Sequence, residues 1–195
     1  MEYNNLEAVM KKYAKYVIQQ AKSNLSKAKP YPKNKGNLYN TLDYKIDPDD
    51  QEALLVEFLM EDYAQFVDQG VKGKNPNALP SGSKHYGKQQ APNSPYKFGA
   101  MKSKGLRAAI NKWTVQKSIK GVRDKKGRFL KRKTMQYLIT RSIYLAGLKP
   151  SYFFSDPFEF YTQRLERELE DALDRDVQLA ISQTDQTNEL IIRIN

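Results

Sequence analysis

A chain of 195 residues is long enough to bury one core with an insertion, or two small ones, and 39% hydrophobic with 11% aromatic residues supplies the material. There is no cysteine, which removes disulfides, thiol catalysis and cysteine-ligated metals. The formal net charge of +11 conceals a sharper asymmetry, because residues 71–133 hold 18 Lys and Arg against one acid, Asp124, and the remainder is net acidic.

Met1-Glu2-Tyr3-Asn4-Asn5 has neither a basic stretch nor an apolar one behind it, so no signal peptide is expected. From Glu2 to about Lys27, Leu6, Met10, Tyr13, Val17, Ala21 and Leu25 recur at steps of three and four, which predicts a helix with one apolar stripe. Pro30, Pro32 and Gly36 stop it. Over Asn37 to Asp47, Leu38, Leu42, Tyr44 and Ile46 share one parity, as a half-buried strand requires. Asp47-Pro48-Asp49-Asp50 reads as a turn, and Ala53 to Met60, apolar on both faces, as a second and central strand. Glu57 interrupts that run, which is far short of the roughly 20 residues a membrane span needs. A soluble protein of a reducing compartment, with no membrane partner, is therefore expected.

Tyr63 to Gly70 predicts a short helical turn or a strand end, closed by glycine. Val71 to Lys104 collects Gly, Pro, Ser and Asn between lysines, predicting an extended or mobile loop without a packed core. Gly105 to Lys117 predicts a helix with Leu106, Ile110 and Trp113 on one face. Gly121 to Leu130 reads as a small basic hairpin turning at Asp124 to Gly127. Thr134 can cap a further helix to about Ala146, stopped by Gly147 and Pro150. Asp156-Pro157-Phe158-Glu159 opens the last helix, with an acceptor at the cap and proline at the first helical position. Its stripe of Phe158, Tyr161, Leu165, Leu169, Ala172, Val177 and Ala180 spans about 40 Å. Glu166, Glu168, Glu170, Asp171, Asp174 and Asp176 crowd the outer face, and Glu189 to Ile194 reads as an edge strand.

Catalytic signals are few. His85 is the single histidine; without cysteine or a carboxylate at ligand spacing it makes no zinc site, and no orienting partner equips it as a general base. No phosphate loop, nucleophile elbow or His-Glu-x-x-His occurs. Asp47, Asp49 and Asp50 belong to the turn. No enzymatic activity, metal or cofactor is expected.

The basic centre calls for a partner of opposite charge. Lys117, Lys120, Arg123, Lys125, Lys126, Arg128, Lys131, Arg132 and Lys133 cluster on and beside the hairpin, with Trp113, Phe129 and Tyr137 nearby. Three readings are open: nucleic acid, held through phosphates and stacking; a solvated arm with no dedicated ligand; and docking onto the acidic last helix of a neighbouring copy.

The order of segments resembles a known family. An N-terminal helix leads to Gly36-Asn37-Leu38 and a hairpin, then to Tyr63-Ala64-Gln65-Phe66-Val67-Asp68-Gln69-Gly70-Val71-Lys72-Gly73. After an insertion, Tyr152-Phe153-Phe154-Ser155-Asp156-Pro157-Phe158 opens a long helix. This is similar to the tail-completion, minor tail and head–tail joining (neck) proteins of tailed bacteriophages. The resemblance implies one α+β domain over residues 1–195: a small antiparallel sheet packed by N-terminal and long C-terminal helices, with a basic insertion at 71–150. The insertion is longer than the family's usual linker.

It further implies a hexameric or higher ring, made in the host cytoplasm and built into the virion neck. There the ring joins the tail to the head-closure connector around the channel through which packaged DNA leaves. On this reading the insertion reaches neighbouring subunits or adjoining rings. A strongly basic lining would retard sliding DNA, so protein contacts are preferred for most of the lysines. The alternative is a nucleic-acid-binding protein using the basic 71–133 segment.

Overall fold

The computed structural model describes residues 4–27, 37–47, 55–99, 104–116, 119, 121–123 and 126–194. The fold is α+β, predominantly helical. The chain divides into two compact units, one of Met1–Ala64 with Tyr152–Asn195 and one of Gln65–Ser151.

In the first unit, helix α1 (Asn4–Lys27) packs along helix α6 (Ser155–Ile194). The stripe of α1 buries Tyr13, Ala14, Val17, Ile18, Ala21 and Leu25, with Leu6 and Met10 half-buried. Strands β1 (Asp43–Asp47) and β2 (Leu55–Leu59) pair antiparallel, Tyr44 opposite Phe58 and Ile46 opposite Val56. Around them Phe58 meets Phe154 at 5.2 Å and Phe158 at 5.9 Å between ring centroids, and Tyr13 lies 6.2 Å from Phe58. Edge-to-face pairs of this kind add about 0.5–1.5 kcal/mol each beyond their buried area.

Three expectations change here. Residues Asn37–Thr41 form a short helix, α2, so the strand begins only at Asp43. Leu38 and Leu42 are both buried, and a spacing of four satisfies a helical stripe as well as strand parity. Strand β2 is not central: among the described residues its sheet has two strands, and Leu55 is 50% exposed. Residues 189–194 continue α6 instead of forming an edge strand. Extending an existing helix adds a hydrogen bond per residue without needing a partner strand. Gly36, Pro30, Pro32 and the turn at 48–50 lie outside the described residues.

The second unit starts within helix α3 (Ala64–Gln69) and continues through strand β3 (Val71–Lys72) and a 3₁₀ turn at Pro76–Ala78. Helices α4 (Lys104–Gln116) and α5 (Arg132–Ala146) pack together, and strand β4 (Gly147–Leu148) pairs antiparallel with β3. The segment expected to be an unpacked loop is ordered over 71–99. Leu79 packs with Leu145 and Ala146, and Val71, Ala91 and Ser94 are buried. Its backbone is satisfied at long range. The Gln89 amide donates to the Gly73 carbonyl at 2.9 Å and accepts from the Gly73 N–H at 2.6 Å, while Ser94 Oγ donates to the Gly70 carbonyl at 2.7 Å. Such pairing leaves no periodic apolar pattern to read.

The Tyr63–Gly70 motif forms the predicted short helical turn and is only partly buried. Ala64 and Asp68, four apart on α3, are buried, whereas Tyr63 and Phe66 are exposed and Val67 is half-buried. Phe66 instead sits edge-on to Tyr96, with centroids 4.8 Å apart. Gly70 takes a φ of +71°, and a Cβ there would collide with the Leu148 carbonyl and Pro150 nitrogen.

Candidate functional site

The basic surface belongs to the second unit and is built by a hairpin between α4 and α5. Arg123 and Phe129 form an antiparallel bridge, the Leu130 N–H donates to the Val122 carbonyl at 2.8 Å, and Gly127 at φ +76° makes the turn. Asp124 and Lys125, like Lys117 and Lys120, lie outside the described residues. Arg123 braces the turn: its Nη1 donates to the Gly127 carbonyl at 2.9 Å, and its guanidinium stands 4.3 Å over the Phe129 ring. Phe129 is nevertheless 65% exposed.

Lys126, Arg128, Lys131, Arg132 and Lys133 are all exposed along the stretch that leads from the turn into α5. Helix α5 starts at Arg132, with Lys131 at the cap position and no side chain capping it. Thr134 is thus inside the first turn, not the cap, and its N–H reaches the Lys131 carbonyl. Between the end of α4 and the start of α5 lies a cavity of about 370 Å³ lined by Thr114, Val115, Ile119, Leu130, Arg132 and Met135. Trp113 and Tyr137 are also exposed, while Ile110 and Met135 fill the α4–α5 contact. Gln136 Nε2 donates across it to Asn111 Oδ1.

The acidic surface belongs to the first unit. On α6, Glu166, Glu170, Asp171 and Asp174 are exposed, and Glu168 accepts from Lys12 Nζ at 2.8 Å. That hydrogen bond and the carboxylate's charge raise the Lys12 pKa above its ordinary value. Burial raises the Tyr13 pKa, against the opposing hydrogen bond between its hydroxyl and Thr162 Oγ1. Pro157 is buried and Phe158 partly exposed at the entry to α6, which begins at Ser155, two residues before the predicted first helical position, so Asp156 lies in the first turn and not at the cap.

Asp176 departs from the predicted acidic outer face: it is 2% exposed. Its Oδ1 accepts from the Asn5 N–H at 3.1 Å and from Asn5 Nδ2 at 2.8 Å, and its Oδ2 accepts from the Leu6 N–H at 3.0 Å. A carboxylate of α6 therefore caps the N-terminus of α1, where orphan N–H groups and the helix dipole favour negative charge. Burial alone pushes its pKa up, but the Leu6 and Asn5 N–H groups, the Asn5 amide and the Arg175 charge together hold it below the ordinary value. The spacing carries a signal: Leu165, Leu169 and Ala172 step by four and three, and Asp176, four beyond Ala172, continues that stripe instead of the acidic outer face.

His85 lies half-buried in a turn. Among the described residues no group of three His, Asp or Glu could hold a metal ion, and no helix is long and apolar enough to cross a membrane. Comparison of the chain with protein-family models, with curated proteins and with solved structures returned no match.

Proposed function

We propose that the chain is a structural protein of a tailed-bacteriophage particle that assembles into a ring at the head–tail interface and joins the tail to the head-closure connector around the DNA channel. The observation that carries this reading is the separation of opposite charges onto two units of one chain. Gln65–Ser151 is strongly basic, and the unit holding α1 and α6 is net acidic. A head-to-tail interface joins different patches of identical copies, and a chain with one patch of each sign is suited to closing such a ring. The three segments that resemble tail-completion and neck proteins support it, as does the small antiparallel sheet between an N-terminal and a long C-terminal helix.

The test is the mass of the full-length protein in solution, alone and with the adjoining neck proteins. Reversing Lys74, Lys84 and Lys88, exposed on the 71–99 segment, to Glu is expected to weaken assembly, as is reversing Glu166, Glu170 and Asp174 to Lys. Mixing the two variants should restore part of it through the swapped contacts. A chain that stays monomeric with every neck partner, in wild-type form, would sink the ring.

A further inference from the structure

The inserted unit, Gln65–Ser151, carries 20 Lys and Arg against two acids, Asp68 and Asp124, for a net charge of +18. The other unit carries 13 against 20, net −7. Contact between the acidic unit of one copy and the basic unit of the next therefore balances at most seven of the 18 surplus charges. The remainder is +11 per copy in any closed ring, whatever its size. A partner made of the same chain cannot neutralise it; a polyanion can.

The surplus is also arranged. A turn held by the Arg123–Phe129 bridge presents Lys126 and Arg128 and leads directly into Lys131, Arg132 and Lys133, all exposed. Those last three stand at the positive end of α5, where no acid in the first turn and no capping side chain offsets them. Like charges at that end oppose the helix dipole, and bound phosphate relieves the conflict. Arg123, bonded to the Gly127 carbonyl and stacked on Phe129, holds the turn's shape, which leaves Phe129 as apolar surface beside the cations.

We infer that the hairpin and the start of α5 bind duplex DNA through its phosphates, without sequence preference. The surface engages the backbone of the duplex alone, and the inference stands independently of the ring.

The experiment measures binding of the full-length chain to a fluorescent mixed-sequence duplex of about 20 base pairs across monovalent salt. With about five phosphates engaged, affinity should fall roughly 500-fold between about 50 and 200 mM salt. R128Q/K131Q/K133Q should lower the slope of log affinity against log salt by about 2.7, since each lost phosphate contact removes about 0.9. K15Q/K27Q/K45Q removes the same charge from exposed positions of the acidic unit and should leave the slope unchanged. Circular dichroism confirms that both variants are folded. Absence of binding at about 50 mM salt overturns the inference, as does an equal loss of slope in both variants. So does displacement of the duplex by a peptide of residues 159–174, which would assign this surface to an acidic protein face. A ring that binds no DNA refutes this inference alone, and salt-sensitive DNA binding by a permanent monomer refutes the ring alone.

Discussion

Replacing Phe153 by alanine probes the core on which the first unit depends. The ring is fully buried, lies 6.4 Å from Phe154 between centroids, and its carbonyl accepts from Asn24 Nδ2 of α1 at 3.4 Å. A buried aromatic side chain removes about 150–250 Å² from water, which at about 25 cal/mol per Å² corresponds to roughly 4–6 kcal/mol. Partial collapse of the cavity and residual burial in the unfolded chain reduce that figure, and truncations of this kind cost about 3–5 kcal/mol. We expect about 4 kcal/mol for Phe153→Ala, and about 1–1.5 kcal/mol for Phe153→Leu, which keeps most of the volume. In urea, followed by far-ultraviolet circular dichroism, 4 kcal/mol at a slope near 2 kcal/mol per M moves the midpoint by about 2 M. Phe160, 54% exposed on α6, is the control: Phe160→Ala should change stability by no more than about 0.5 kcal/mol. A midpoint shift under about 0.5 M for Phe153→Ala, or an equal loss at Phe160, would refute the packing described for the α1–α6 core.

Asp176→Asn should destabilise the protein at neutral pH. Because the native carboxylate titrates below its unfolded value of 3.8, its contribution is present above that pH and is lost as pH falls through the native pKa. The gap between wild type and variant should therefore be constant from neutrality down to about pH 5 and shrink below about pH 4; a gap independent of pH would remove the carboxylate from the cap. Gly73→Ala should disrupt the second unit, since a Cβ there would collide with the backbone of Leu145 and Ala146. A cost of about 1–3 kcal/mol is expected, read from the fluorescence of Trp113, the one tryptophan of the chain, and an unchanged Trp113 transition would show that the close approach is not required.

The long helices, the β1–β2 pairing and the basic hairpin were legible because each is written locally. A three-and-four repeat marks α1, a proline entry and apolar stripe mark α6, and a Gly127 turn between basic segments marks the hairpin. The charge segregation behind the candidate site was likewise a matter of counting. What the sequence left open depended on partners distant in the chain. Leu38 and Leu42 fit a strand and a helix equally, and burial against the rest of the first unit goes with the helical choice. The polar segment 71–99 carries no apolar period, and it is ordered by β4, by Gln89 on Gly73 and by Ser94 on Gly70. Asp176 falls on the apolar stripe of α6 by spacing, but its partner, the start of α1 with its orphan N–H groups, is set only by the fold. The sequence by itself determined which segments have an apolar face and where charge accumulates, since both follow from residues within one or two turns. Only the tertiary structure decided which groups satisfy the buried polar side chains, because the partner in a hydrogen bond across 171 residues is not written in local spacing.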